Sequence, residues 1–268
     1  MARGGEAQTV YGAVAPLVCG SGEARPAHIE EIGHGLGLLV GDLALARTEE
    51  AFAMEWPQCQ DGSERAFRLT TALGQMMQEA AERFAADLTL VNIGPNLGAI
   101  NRAALLATSH VVVPVAPDLF SLLGLRNLGP ALRGWRDGWQ EARRKVDRVL
   151  PAMPGGGMAL VGYVLLQHAE RLGRPTPWSS TWPRRIAEGY QQSVLGETGP
   201  VGSPDPNQIA VMRRYQGLRS LAMEARKPMF RLTAADGAMG VHQMSVQQCG
   251  GEYERLCREI GRRVGCAG

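Results

Sequence analysis

Residues 88–125 read LTLVNIGPNLGAINRAALLATSHVVVPVAPDLFSLLGL. An apolar run, Leu88 to Ile93, stops at the breaker pair Gly94-Pro95. A pattern of small and apolar residues from Leu97 to Ala107 then has helical spacing. A second apolar run, His110 to Ala116, stops at Pro117-Asp118, and another helical pattern opens near Ser121. Strand, helix, strand, helix in this order predicts a βαβα unit and therefore a parallel sheet. Ligands of such sheets sit at the carboxyl ends of the strands. That places Asn92 to Asn96 and Ala116 to Phe120 on the expected working edge.

Working outward, residues 1–27 are rich in Gly and Ala and form a weakly structured lead-in, with one short helix over TVYGAVAPLV. Gly35 to Val40 predicts a short strand, LALARTEEAFAM a helix, and residues 63–86 a long amphipathic helix. Downstream, residues 121–149 predict a helix with Leu122, Leu125, Leu128, Leu132, Trp135 and Trp139 along one side. ALVGYVLLQHA (159–169) predicts a core strand, and residues 170–183 a Pro-rich loop. Helices follow over 184–195 and 207–224, then a strand over KPMFRL and a final helix near 241–263. There is no internal repeat, so residues 1–268 are expected to form one α/β domain.

Composition narrows the chemistry. At 268 residues, 45% hydrophobic and 20% charged, the chain matches an ordinary globular protein. No apolar run has the roughly 18 residues of a membrane span, and the first residues lack a signal-peptide core, which predicts a cytoplasmic protein. Five cysteines without a C-x-x-C, and five scattered histidines, predict reduced thiols and no metal site. The net charge of +2 is unevenly spread: residues 1–125 hold 7 Arg and 14 acids, whereas 126–268 hold 19 Arg and 2 Lys against 12 acids. A basic half attracts polyanions, or it balances the acidic half within the fold. The apolar stripe of the last helix (Val246, Tyr253, Leu256, Ile260) predicts packing on the sheet; a membrane-surface helix is the other reading. There is no G-x-S-x-G elbow for Ser/His/Asp hydrolysis.

VNIGPNLGAINRAALLATSHVVVPVAPDLFSLLGLRNL (91–128), HGLGLLVGDLALARTEEAF (34–52), VGYVLLQHA (161–169) and EARKPMFRLTAADGAMGVHQMSVQQCGGEYERLCREI (224–260) together resemble the ParA/Soj family of deviant Walker-type partition ATPases. The resemblance covers nearly the whole chain from Thr9. It implies a P-loop NTPase-like, three-layer α/β/α fold. Members of the family dimerise around ATP and Mg²⁺, bind DNA non-specifically, and hydrolyse ATP when a partition partner protein stimulates them. By the same resemblance, Asn92, Gly94, Pro95, Asn96 and Gln167 stand at nucleotide-contacting positions. Arg184, Arg185, Arg213, Arg214, Arg262 and Arg263 are candidate DNA contacts, and no membrane partner is implied.

Two departures weigh against catalysis. The family cradles phosphates in a G-x-x-x-x-G-K-S/T loop or its K-G-G-x-G-K-S/T variant. The two lysines here, Lys145 and Lys227, stand in neither context. Read against the family, the chain begins after the first βαβ unit and is N-terminally incomplete. The Walker B strand should end in a metal-binding Asp, and Asn92 occupies that position. An amide is a neutral ligand, so a bound cation would lose a full negative charge; the plainer reading has Asn92 ending a buried strand. The expectation is a partition-type protein that neither binds ATP nor hydrolyses it. The alternatives are a non-catalytic protein- or DNA-binding module on the same fold, or a fragment of an active ATPase.

Overall fold

The computed structural model describes residues 8–146, 153–166 and 177–266. The chain divides into two compact units, neither of them continuous in sequence: Met1–Ser109 with Ala131–Met158, and His110–Pro130 with Ala159–Gly268.

The first unit is mainly helical. Helix α1 (Val10–Val18) is capped by Thr9, whose hydroxyl accepts from Gly12 N at 3.2 Å. A two-stranded antiparallel hairpin follows, β1 (Glu30–Gly33) and β2 (Leu36–Leu38). A 3₁₀ turn (Leu43–Thr48), capped by Asp42, leads into α2 (Glu49–Gln60). Helix α3 (Glu64–Phe84) is amphipathic, as residues 63–86 predict. Ser63 caps it, Glu64 and Arg83 complement its dipole, and Phe67, Leu69, Leu73, Met76 and Ala80 are buried. Helix α4 (Ala99–Leu106) adds Ala103 and Leu106 to the buried residues, and Ala13, Val14, Phe52, Leu69, Leu73, Met76 and Ala103 share one core cluster.

The second unit holds a parallel sheet in the order β3 (His110–Val115), β4 (Ala159–Leu166), β5 (Gln208–Met212). His110 lies opposite Ala159 and Val115 opposite Leu165; Tyr163 lies opposite Gln208 and Leu166 opposite Met212. Alternate side chains go to opposite faces. On one face Val113, Val115, Tyr163 and Leu165 pack with Leu125 of α5 (Leu119–Arg144) and Ile186 of α6 (Pro177–Gly189). Tyr190 and Val194, from the π-helical turn Tyr190–Leu195, join them. On the other face Val112, Val164, Ile209 and Met212 pack with Tyr253, Leu256 and Ile260 of the terminal helix Val241–Val264. Helices thus flank both faces, which is why these strands read as near-continuous apolar runs. The register of β4 shifts next to Gly162, whose φ of +140° accompanies the irregularity; a Cβ there would sit 2.3 Å from Asn207 O. Helix α7 (Gln216–Ala225), 3₁₀ turns at Met229–Arg231 and Ala234–Asp236, and the terminal helix α8 complete the unit.

Four expectations are corrected. Leu88–Ile93 forms no strand and pairs with none among the described residues, and Leu88 and Leu90 are exposed. The β-propensity of a run takes effect only with a partner to pair with. Residues 208–212, expected within a helix, form β5, because the short alternation of QIAVM finds β4 beside it. KPMFRL forms a 3₁₀ turn instead of a strand. Pro177–Pro183, expected in a loop, forms the start of α6, with Pro183 inside the helix; a proline at the first helical position, such as Pro177, sacrifices no hydrogen bond.

Candidate functional site

The turn after Leu88–Ile93 carries a polar constellation in the first unit. Asn101, 7% exposed and next to Arg102 on α4, turns its amide back onto the turn. Its Nδ2 donates to Gly94 O and Asn96 O, both at 2.8 Å, and to Asn96 Oδ1 at 3.1 Å. Asn96 Oδ1 also accepts from Gly98 N at 3.0 Å. Gly94, Pro95 and Asn96 are thereby fixed, and the turn delivers the chain into α4. At that helix start the carboxylate of Glu49 accepts from Ala99 N with one oxygen and from Ile100 N, at 3.1 Å, with the other. The free amides and positive end of α4 are thus met by the protein's own anion.

Arg102 lies one turn further along α4. Its guanidinium stacks 4.4 Å over the Trp56 ring and donates to Phe52 O at 3.3 Å. Burial lowers its pKa, and Glu49 opposes that effect. Nearby Cys59 is buried beside the Thr70 hydroxyl at 3.1 Å, and burial pushes its thiol up to about 11. It is therefore a protonated core residue and no nucleophile. Asn92 is a correction: it ends no buried strand but lies exposed in the unpaired segment.

The carboxylate of Glu49 holds two backbone amides of α4, so E49A is expected to destabilise the protein by about 1–2 kcal/mol. E49Q should lose roughly half of that. Thermal melts of the two variants check the order; equal stability of E49A and wild type would refute the cap.

The second unit contains the strand ends. After β3, Asp118 Oδ1 accepts from Ser121 N at 2.7 Å and Ser121 Oγ accepts from Ala116 N at 3.0 Å. Asp118 therefore acts as a turn and helix cap, while Leu119 and Phe120 are exposed. Gln167, and His168 beside it, lie outside the described residues. After β5, Arg213 N donates to Glu252 Oε2 at 3.0 Å, with Arg213 Nε 3.5 Å from Glu252 Oε1.

The six candidate arginines do not gather in one place, and most are engaged. Arg184 pairs with Glu188 at 2.9 Å, and Arg185 stacks 5.3 Å over Trp182. Arg262 and Arg263 converge on Glu259 at 2.7 and 2.6 Å, which holds that carboxyl at about 2. Arg263 also donates to Val161 O at 2.9 Å, so it locks α8 to the sheet. Arg214 follows Arg213 in an exposed stretch.

Sequence reasoning missed Glu49 and Arg102, because nothing local ties residue 49 to residue 99. Asn101 had a signal, a lone amide within AINRAALL. Among the described residues no group of three His, Cys, Asp or Glu could hold a metal, and no helix is long and apolar enough to cross a membrane.

No protein-family model matches the chain, and no curated protein does. Among solved structures, protein DIP2308 from Corynebacterium diphtheriae is similar, with 18% identity and a TM-score of 0.66 over 98% of this chain and 77% of that one. At that identity the likeness establishes a shared fold and nothing of the chemistry.

Proposed function

We propose that the chain is a ParA-like protein of the partition and positioning class that works by contact with DNA or protein, without hydrolysing ATP. Its parallel sheet with helices on both faces suits a P-loop NTPase-like architecture. The observation that carries the non-catalytic reading is the seat of Glu49 on the amides of Ala99 and Ile100. In the family that the sequence resembles, the turn corresponding to Gly94–Asn96 senses the γ-phosphate. Here a side-chain carboxylate already occupies the helix start behind that turn, and an added phosphate would meet like charge. Asn92 supplies a neutral amide where the family has a metal-binding carboxylate. This donor set does not suit Mg²⁺-ATP, and no step through a nucleotide is derived. The contact partners would be duplex DNA, a partition partner protein or a second copy, in the cytoplasm, where free thiols such as Cys19 and Cys257 stay reduced.

Calorimetric titration with Mg²⁺-ATP is expected to give no saturable binding; micromolar affinity would overturn the reading. A short arbitrary duplex should bind at about 50 mM salt and lose most of its affinity by about 200 mM, as phosphate contacts do. Absence of binding even at low salt would remove DNA from the partners.

A further inference from the structure

The arginines of the second unit differ in what holds them. Along α8, Arg258 pairs with Glu254 at 2.6 Å, and Arg262 and Arg263 share Glu259. Arg255, exposed on the same helix, has no carboxylate partner among the described residues. Its guanidinium arcs back over Gly251, where an added Cβ would meet Nη1 at 3.5 Å. Beneath it lies a hollow of about 400 Å³ lined by Arg213, Gln247, Gln248, Gly251, Glu252 and Arg255.

The helix period explains the assembly. Gln247, Gly251 and Arg255 are spaced by four and share one ridge, with Gln248 and Glu252 on the adjacent one. Gly251 removes the side chain that would fill the floor. Arg213 enters from the carboxyl end of β5, where ligands of parallel sheets bind. Glu252, only 8% exposed, takes both its backbone amide and its Nε. The same carboxylate neighbours the Tyr215 phenol, which burial first, and then Glu252, pushes up to about 12. The charge of Glu252 is thus directed onto Arg213 and fixes where that guanidinium stands.

We propose that this hollow binds one phosphate group. Arg213 and Arg255 supply guanidinium donors, Gln247 and Gln248 supply neutral amide donors, and Glu252 positions Arg213. Two guanidiniums against one carboxylate leave a single positive charge, the complement of one phosphodiester. Planar forked donors suit phosphate oxygens. The proposal deepens the DNA part of the proposed function and rests on it for the source of the phosphate. Free phosphate has the same chemistry and is tested separately.

The test compares R255Q with R258Q, which removes the same charge from the same helix but takes it from the Glu254 pair. Duplex affinity is followed by fluorescence anisotropy across a salt series, and inorganic phosphate by backbone amide shifts. R255Q should weaken duplex binding by about tenfold and lower the salt slope by about one, while R258Q stays within about twofold of wild type. Arg255 is exposed, so R255Q should melt with wild type. Equal losses in both variants would overturn the hollow and leave general DNA binding standing. If wild type binds no duplex, the DNA reading fails, and phosphate decides the hollow alone. Saturable shifts at Gly251 and Arg213 that R255Q abolishes would keep the site; unchanged shifts would overturn it.

Discussion

Replacing Gly129 by alanine is expected to destabilise the second unit by about 3 kcal/mol, the upper range for overpacking a close contact. Gly129 is buried within α5, and an added Cβ would lie 1.8 Å from Ser193 O and 2.8 Å from Val194 Cα. Those are backbone atoms of the π-helical turn, so no side chain can rotate away. The turn itself carries Tyr190 and Val194, both buried in the cluster over the sheet. Alanine would otherwise favour the helix by about 1 kcal/mol, so the clash must exceed that gain before any loss is seen. Gly124 of the same helix is the internal control. It is exposed, with nothing within 4 Å of its Cβ position, and G124A should stabilise by up to about 1 kcal/mol. Denaturant unfolding of both variants gives opposite signs if α5 and the turn are in contact at Gly129; the same sign in both would place that contact elsewhere.

Truncating Trp139 to alanine should cost about 3–5 kcal/mol, the range for deleting a large buried aromatic. Trp139 is fully buried, with its ring 5.3 Å from Phe67 and stacked 6.5 Å from Trp56. Its Nε1 donates to Pro154 O at 2.9 Å, tying the loop before β4 back onto α5. Alanine leaves a cavity among Phe67, Trp56 and Gly156 and strips Pro154 O of its donor. W139F separates the two effects: it keeps most of the ring volume and loses only the hydrogen bond, for about 1–2 kcal/mol. Thermal unfolding followed by calorimetry should show a fall of roughly 10 °C for W139A at such a cost. A loss of less than about 1 kcal/mol would show that the first unit does not depend on this aromatic cluster.

The sequence makes the long elements legible and the short ones ambiguous. Helix α3 could be read because Phe67, Leu73, Met76 and Ala80 keep one period over 21 residues. β3 and β4 could be read because buried parallel strands are unbroken in their apolarity. QIAVM could not, since five residues with Ile209 and Val211 fit either period, and only the neighbouring β4 settles the matter. Leu88–Ile93 shows the opposite failure: its composition is that of a strand, but among the described residues it forms none. At the candidate site, the turn Gly94–Asn96 was visible as a breaker. What fixes that turn was not, because Glu49 and Ala99 are 50 positions apart. The arginine pairs were visible as charge, whereas their carboxylate partners decide how much of that charge is free. Arg255, followed in sequence by the paired Arg258, Arg262 and Arg263, became distinctive only through the carboxylate partner it lacks among the described residues.

The unpaired run Leu88–Ile93 has a consequence for the behaviour of the protein in bulk. It is uncharged and rich in strand-forming residues, with Leu90 83% exposed. A segment of that kind is a template on which another chain can add a strand. Asp87 adjoins it as a charged gatekeeper on one side, whereas on the other side the first charged residue is Arg102. The segment is therefore guarded by charge on one side only, and removing Asp87 (D87N) would leave it unguarded on both.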